Sequence, residues 1–194
     1  MKLWVATSNK GKLDEVRHIL GDCGMEIKSL AELGSYTSPP ETASDFVGNA
    51  RIKAKSLHAV KPEDWVIADD SGLEVDGLNK LPGVHSARYA GDKASDAANT
   101  AKLLKMMSLR SATNRQAQFV CVVVAINPEG QEFVFEGFLK GEISRQQRGT
   151  NGFGYDSVFI PEGFDKTLAE VNAAEKNRIS HRAAALRDFR KNCL

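Results

Sequence analysis

The pattern of apolar and polar positions predicts that short strands and amphipathic helices follow one another along the chain. Continuous apolar runs at residues 3–6, 66–68 and 119–126 predict buried strands. Apolar residues recur at helical spacing in residues 13–20 and 46–57, which predicts two helices with one buried face each. No internal repeat or low-complexity linker interrupts this pattern. A chain of 194 residues is long enough for one sizeable core and short for two independent domains, so one domain is expected.

The most informative stretch is V-I-A-D-D-S-G at residues 66–72, where an apolar run meets two carboxylates. Ser71 and Gly72 are turn-forming residues, so Asp69 and Asp70 are expected at the carboxyl end of a strand, where open α/β sheets bind ligands. Because side chains alternate along a strand, the two acids should face opposite sides. One acid could then hold a cation or a water molecule while the other plays a supporting role. On its own, the stretch is also typical of a polar turn.

The first strand-like run leads into T-S-N-K-G-K, and the helical pattern begins directly afterwards. A helix N-terminus presents free N–H groups and a partial positive charge, which favour phosphate, and Lys10 and Lys12 add cations beside it. The G-x-x-x-x-G-K-S/T spacing of a Walker A loop is absent. The stretch is therefore a candidate phosphate site, with a capped helix start and two solvated lysines as the alternative.

A proline-stiffened loop and the helix after it carry a further candidate acid and cation. Glu41 follows two prolines, which restrict the backbone before it. Ser44 or Asp45 is expected to cap the next helix, on which Asn49 and Lys53 lie one turn apart. The alternatives are an ordinary loop acid for Glu41 and a solvated helix lysine for Lys53.

The second half of the chain contributes a loop, a hairpin and an aromatic segment. Residues 79–91 predict an extended loop, and residues 119–126 and 132–139 predict a hairpin around Asn-Pro-Glu-Gly. The segment G-F-G-Y-D sets glycines around two aromatic residues, so that backbone can approach a flat ligand and a ring can stack on a base. A structural turn is the alternative for this segment.

The terminal helix carries two cations close to its start. Ser180 is a candidate N-cap, which places His181 and Arg182 in the first turn. Cations are disfavoured at a helix N-terminus, so their presence there indicates an anionic or acceptor-rich partner. A coincidental helix start is the alternative.

Composition and charge exclude several classes of protein. The 194 residues are 42% hydrophobic and 26% charged, which is typical of a folded globular chain. The formal net charge of +1 provides no field that would draw the protein to nucleic acid or to an anionic membrane. No apolar run could span a bilayer and no signal-peptide pattern is present, so a cytoplasmic location is expected. The three cysteines are widely separated, which favours reduced thiols over a disulfide framework or a zinc site.

The candidate segments together indicate a protein family far more specifically than any one of them does. T-S-N-K-G-K, P-E-T, A-D-D-S-G, G-F-G-Y-D and E-K-N-R-I-S-H-R occur in this order, and nearly the whole chain closely resembles the inosine triphosphate pyrophosphatase family. The resemblance implies a three-layer α/β fold with a long mixed sheet flanked by helices, and two lobes with a central active-site cleft. It also implies a homodimer and one nucleoside triphosphate pyrophosphatase domain over residues 1–194. The implied activity hydrolyses non-standard purine nucleotides, dITP, ITP, XTP and dXTP, to the monophosphate and pyrophosphate, which cleanses the nucleotide pool.

The resemblance also implies roles for residues of this sequence. Asp70 matches the general base and metal ligand, Glu41 a further acidic metal ligand, and Asp69 a supporting acid. Lys53 matches a lysine directed at the phosphates. The implied phosphate loop consists of Thr7, Ser8, Asn9, Lys10, Gly11 and Lys12. The implied nucleotide contacts are Ser71, Phe153, Gly154, Tyr155, Asp156, Lys176, His181 and Arg182.

These residue types fit the implied chemistry. A triphosphate brings about four negative charges, and attack at its α-phosphorus requires them to be neutralised. Mg²⁺ binds a few carboxylates together with phosphate oxygens and water, so Glu41 and Asp70 are expected to hold it. Asp70 would also deprotonate the attacking water. Arg182, with His181, would select bases that carry a 6-carbonyl, because a guanidinium only donates hydrogen bonds.

Two other functions are compatible with parts of the pattern. A Maf-like pyrophosphatase for pyrimidine or modified nucleotides would share the architecture, but its first loop tends to carry Ser-x-x-Arg-Arg, which residues 7–12 lack. A non-catalytic purine-binding module is disfavoured by Asp69 and Asp70, because carboxylates do not help to bind an anion without a metal ion.

Overall fold

The computed structural model describes residues 1–110 and 113–194, and within them six strands form one mixed sheet. The strands are β1 (Lys2–Val5), β2 (Glu26–Ser29), β3 (Trp65–Val75), β4 (Gln116–Ile126), β5 (Glu132–Ile143) and β6 (Phe159–Pro161). Their order is β2-β1-β3-β4-β5-β6, with β1 parallel to β2 and β3, and β5 antiparallel to β6. The α-helices are α1 (Lys10–Leu20), α2 (Phe46–His58), α3 (Asp96–Leu109), α4 (Ala173–Ile179) and α5 (His181–Cys193). The predicted α/β fold with a mixed sheet flanked by helices is confirmed.

The chain divides into two compact units. The first unit consists of Met1–Asp70, Cys121–Gly137 and His181–Leu194, and the second of Ser71–Val120 and Phe138–Ser180. The strands β3, β4 and β5 each contribute residues to both units. The single pyrophosphatase domain over residues 1–194, and the cleft between two lobes, stay predictions.

In the first unit, apolar side chains cover both faces of β3. Trp65 and Ile67 pack on one face with α1 and α5, whereas Val66 and Ala68 pack on the other face with α2. The helix residues that complete the first cluster are Val16, Leu20, Ala185, Leu186 and Phe189, and those of the second are Ala50, Ala54 and Leu57. Since β3 is buried on both faces, its sequence is continuously apolar up to the two acids.

The structure corrects the predicted end of the central strand. The turn expected at Ser71 and Gly72 is wrong, because β3 continues to Val75. Leu73 and Val75 are fully buried in the core of the second unit, and burial of this kind overrides a local turn preference. Asp69 and Asp70 therefore lie inside the strand. Val5, the last residue of the parallel strand β1, lies opposite Ile67. Asp69 and Asp70 are two and three residues further along β3, so both acids lie beyond the carboxyl end of β1.

The extended loop expected at residues 79–91 is also corrected. A 3₁₀ helix, Gly83–Arg88, occupies much of this segment. The buried hydroxyl of Ser86 donates to the carbonyl of Gly83 (2.6 Å) and accepts from the N–H of Leu73 (2.8 Å). The sequence pattern did not reveal this serine, which fixes the segment to the second unit.

Side-chain caps begin the first two helices. Asp45, one of the two predicted caps, accepts from the N–H of Gly48 at 2.6 Å. Asn9 accepts from the N–H of Lys12 at 3.0 Å, so the start of α1 is capped as well. The hairpin between β4 and β5 is confirmed, with the N–H of Gly130 donating to the carbonyl of Asn127 at 2.9 Å. In the described part of the chain, no helix combines the length and the apolar character needed to cross a membrane.

Close packing of α5 on β5 predicts that Gly137→Ala destabilises the protein. A Cβ at Gly137 would overlap the backbone of His181 and Ala185 in α5. Overpacking costs roughly 1–3 kcal/mol, which outweighs the gain of roughly 0.4–1 kcal/mol that alanine brings by restricting the unfolded chain. Urea unfolding measures the difference, with Glu136→Ala, at an exposed neighbouring position, as the control. A Gly137→Ala protein as stable as the parent would contradict the close packing.

Candidate active site

Asp69 lies in a buried network of charges on the face of β3 that packs against α1 and α5. Its Oδ2 accepts hydrogen bonds from Lys12 Nζ (2.8 Å) and Arg182 Nη2 (3.1 Å). Burial by itself would raise the pKa of Asp69, but the charges of Lys12 and Arg182 hold that pKa well below its usual value. Asp69 is therefore ionised, and its charge is neutralised within the protein.

The guanidinium of Arg182 lies between two carboxylates. Only 1% of the residue is exposed, and besides Asp69 it donates to Glu15 of α1. Burial would lower the pKa of Arg182, but the charges of Asp69 and Glu15 raise it. Sequence reasoning assigned this arginine to base selection and missed Glu15 altogether. The available signal was the spacing of Glu15 on α1, which places it three residues after Lys12 and beside the buried Val16.

Cys121 shares this buried environment but has no nucleophilic character. Its Sγ lies 3.9 Å from Asp69 Oδ2, and burial raises the pKa of the thiol to about 12. The thiol is therefore protonated at neutral pH and inert.

Asp70 faces the opposite side of β3, toward α2, as strand alternation predicted. Its Oδ2 accepts from Asn49 Nδ2 at 3.2 Å, and its Oδ1 lies 3.7 Å from Lys53 Nζ. Burial raises the pKa of Asp70, and the charges of Lys53 and Lys12 offset this only in part. A carboxylate with a raised pKa is suited to accepting a proton.

Lys53 connects Asp70 with the proline-stiffened loop. The residue is 9% exposed, and its Nζ donates to Glu41 Oε1 at 2.7 Å. Burial would lower the pKa of Lys53, but the charges of Asp69, Asp70 and Glu41 raise it. The alternative of a solvated helix lysine is therefore wrong for Lys53, and Glu41 is more than an ordinary loop acid.

The donor set formed by Glu41 and Asp70 fits Mg²⁺. Both are carboxylates that share the ammonium of Lys53. Among the described residues, no group of three or more His, Cys, Asp or Glu side chains is arranged to hold a metal ion. Mg²⁺ is commonly bound through one or two carboxylates together with substrate phosphates rather than by a protein cage. The pair can therefore hold an ion that a phosphorylated ligand also contacts.

The first loop lies at the exposed N-terminus of α1 and is connected to Asp69 through Lys12. Thr7 Oγ1 accepts from the N–H of Asn9 at 3.2 Å, which shapes the turn before the helix. Lys10 is exposed and lies 3.5 Å from Asp14, whereas Lys12 is held by Asp69. The solvated-lysine alternative thus applies to Lys10 alone.

In the second unit, the G-F-G-Y-D segment forms a turn that side-chain hydrogen bonds hold. Asp156 Oδ2 accepts from the N–H of Phe153 (2.9 Å) and from Lys176 Nζ (2.5 Å). Lys176 Nζ also lies 4.3 Å from the centroid of the Phe153 ring, within cation–π range. Gly154, with φ of 61°, donates its N–H to Asp96 Oδ2 at 2.7 Å. Asp96 lies at the start of α3 and was not among the residues that the sequence analysis selected.

The predicted site residues thus fall into two groups. In the first unit Lys12 and Arg182 meet at Asp69 on one face of β3, and Lys53 joins Glu41 to Asp70 on the other face. The start of α1 and the loop before it carry Thr7, Ser8, Asn9, Lys10 and Gly11. His181 is buried in the first turn of α5. In the second unit Phe153, Gly154, Asp156 and Lys176 cluster, and Ser71 lies on β3. Tyr155 is buried there, and its hydroxyl donates to the carbonyl of Ser86 at 2.8 Å, so this side chain has a structural partner.

The fold and these charged clusters define an α/β protein with a candidate site for an anionic ligand that binds together with a cation. The chain belongs to the Ham1 family, whose model matches residues 3–192. It is 52% identical to the dITP/XTP pyrophosphatase of Bdellovibrio bacteriovorus, over 97% of this chain and 96% of that protein. It is 43% identical to the dITP/XTP pyrophosphatase of Exiguobacterium sibiricum, over 96% and 94% of the two chains. The resemblance inferred from the motifs is confirmed.

Solved structures agree with this assignment. The Ham1 protein of Staphylococcus aureus matches with a TM-score of 0.87 and 39% identity, over 98% of this chain and 97% of that chain. A dITP/XTP pyrophosphatase from Mycobacterium abscessus matches with a TM-score of 0.77 and 44% identity, over 97% and 98% of the chains. The α/β fold is therefore shared along nearly the whole chain.

The buried position of Arg182 predicts a large loss of stability when its charge is removed. Arg182→Met keeps most of the side-chain volume but leaves Asp69 and Glu15 without their shared cation, which should cost roughly 3–5 kcal/mol. Chemical denaturation measures the loss. Arg190→Met is the matched control, because Arg190 lies on the same helix and pairs with Asp22 at the surface, and it should change stability little. Equal effects of the two substitutions would refute the buried network.

Proposed function

We propose that this chain hydrolyses dITP, ITP, XTP and dXTP to the corresponding monophosphate and pyrophosphate. The observation that carries the proposal is that two adjacent carboxylates differ in how far neighbouring cations compensate their charge. Asp69 is neutralised by Lys12 and Arg182, whereas Asp70 keeps a raised pKa. The substrate class is supported by the relatives described above, which are named dITP/XTP pyrophosphatases. Removal of these nucleotides cleanses the nucleotide pool.

The phosphates bind at the start of α1 and near Lys53. The N–H groups of the first helical turn and the exposed Lys10 provide positive potential there. Lys53 has a flexible stem, so its ammonium can turn from Glu41 and Asp70 toward a phosphate. These cations also stabilise the charge of the departing pyrophosphate.

Mg²⁺ is the proposed cofactor, and Glu41 and Asp70 are the residues that would hold it. Both carboxylates lie against Lys53, and neither takes part in the Asp69–Arg182 pair. When bound, the ion supplies positive charge that offsets the charge on the phosphate oxygens. This proposal agrees with the two-carboxylate donor set.

Asp70 accepts the proton of the attacking water. The water oxygen bonds to the α-phosphorus, while the bond from the α-phosphorus to the oxygen that bridges it to the β-phosphorus breaks. The monophosphate keeps the water oxygen, and pyrophosphate leaves with the bridging oxygen. Because burial raises the pKa of Asp70, this carboxylate is a stronger base than an exposed one. The reaction needs no covalent intermediate, in keeping with the inert thiol of Cys121.

The contacts to the purine base of the nucleotide are proposed from the resemblance and from the geometry of the second unit. The half-buried ring of Phe153 offers a face for stacking, and Lys176 and Asp156 hold it in place. Ser71, Gly154, Tyr155 and His181 complete the proposed nucleotide contacts. The selection of a 6-carbonyl by Arg182 stays a prediction, and its contacts with Asp69 and Glu15 give it a second role.

A homodimer in the cytoplasm is the proposed state of the protein. The strand β5 presents Val134 and Phe138 at the surface, 40% and 48% exposed, and exposed apolar side chains of this size suit an interface with another chain. The three cysteines are free thiols, as expected in a reducing compartment.

Pyrophosphate release from a panel of nucleotides tests the proposed function. We expect release from dITP, ITP and XTP with Mg²⁺, at a kcat/KM at least about 100-fold above that for ATP, and none after chelation. Release from pyrimidine or modified nucleotides alone would indicate the Maf-like activity instead. Binding of purine nucleotides without any release would indicate a non-catalytic module.

The variant Asp70→Asn identifies the proton acceptor in the same assay. An amide cannot accept the proton, so kcat should fall by roughly 10²–10⁴-fold while calorimetry still detects nucleotide binding. Asp188→Asn, an exposed position on α5, is the control and should retain turnover. Near-normal turnover of Asp70→Asn would exclude the assigned role.

A further inference from the structure

A single buried amide connects the two proposed metal ligands. Asn49 of α2 is fully buried, and its Nδ2 donates to Asp70 Oδ2 at 3.2 Å. Its Oδ1 accepts from the N–H of Ala43 at 2.9 Å, two residues after Glu41. The same side chain therefore contacts the strand that carries one carboxylate and the loop that carries the other.

Asn49 is a buried polar residue on a helix whose buried face is largely apolar. The other buried positions on α2 include Ala50, Ala54 and Leu57, which pack in an apolar cluster. An asparagine is a poorer helix former than alanine or leucine, and burying its amide is costly unless both ends are hydrogen-bonded. The two hydrogen bonds therefore offset the cost of burying a polar side chain at this position.

Lys53 also connects the two carboxylates, but its contacts are exchangeable. Its ammonium is at the end of a flexible stem and is proposed to turn toward the phosphates. Asn49 is short, carries no charge and bonds to backbone on one side. Its contacts can therefore persist when a nucleotide binds, and they leave Asp70 Oδ1 on the side of Lys53.

We propose that Asn49 is a positioning residue that sets the spacing and orientation of Glu41 and Asp70 for a divalent cation. This inference rests on the proposed function for the identity of the nucleotide, but not for the binding of the cation. Asn49 acts through Asp70 and through the loop backbone. Residues that orient metal ligands from behind typically affect metal affinity or activity by about 10–100-fold.

Two substitutions remove the contacts of Asn49. Asn49→Ala removes both contacts and most of the side chain, whereas Asn49→Leu removes both contacts but keeps most of the side-chain volume. Both variants should weaken Mn²⁺ binding, measured by the loss of the free-ion paramagnetic resonance signal, by about 10–100-fold. With dITP as substrate, kcat should fall at saturating nucleotide, and a higher Mg²⁺ concentration should be needed for half-maximal rate.

Asn99 of α3 supplies a matched control for general destabilisation. It is 3% exposed, accepts from the N–H of Ala90 (2.8 Å) and donates to the carbonyl of Ala87 (3.1 Å). Asn99→Ala should therefore lower stability in the same way but leave Mn²⁺ affinity unchanged. Wild-type Mn²⁺ affinity in Asn49→Ala, or an equal loss in Asn99→Ala, would overturn the proposal. If the parent protein binds Mn²⁺ but hydrolyses no nucleotide, the proposed function fails while the comparison of Mn²⁺ affinities still decides the role of Asn49.

Discussion

The burial of two carboxylates on successive residues of one strand is the constraint on which the first unit depends. Two like charges at adjacent buried positions are costly unless cations reach both faces of the strand. The surrounding helices supply those cations, with Lys12 from α1, Arg182 from α5 and Lys53 from α2. The helices are thus placed by charge as well as by apolar packing.

The two carboxylates are not compensated equally, and this difference suggests a division of roles. Asp69 accepts hydrogen bonds from two cationic side chains, one of which is fixed by a further carboxylate. Asp70 has a neutral amide at 3.2 Å and one ammonium at 3.7 Å. Asp69 is therefore an internal counter-ion, whereas Asp70 is the carboxylate that we propose reacts with a ligand.

Local sequence patterns were sufficient for the elements that bear the proposed chemistry. Alternation along β3 placed Asp69 and Asp70 on opposite faces, and helix capping placed the first loop at the start of α1. The continuation of β3 beyond Ser71 was not predictable in this way. It depends on the burial of Leu73 and Val75 against residues that are distant in sequence.

Contacts between distant residues account for what the sequence did not reveal. Glu15 and Arg182 are 167 positions apart, and Asp96 and Gly154 are 58 positions apart. Asn49 was recognised only as a helix position, because its two contacts depend on the folding of a loop and a strand around it. The order of the motifs along the chain was still sufficient to identify the family, because a resemblance of this kind requires no knowledge of the contacts between the motifs.

The most direct test of this division of roles compares the unfolding free energies of Asp69→Asn and Asp70→Asn. We expect Asp69→Asn to lose roughly 3–5 kcal/mol, because Arg182 and Lys12 are left without a buried counter-ion. Asp70→Asn should be about as stable as the parent or more so, because an amide replaces a carboxylate that burial disfavours. A large loss in Asp70→Asn together with little loss in Asp69→Asn would contradict the account.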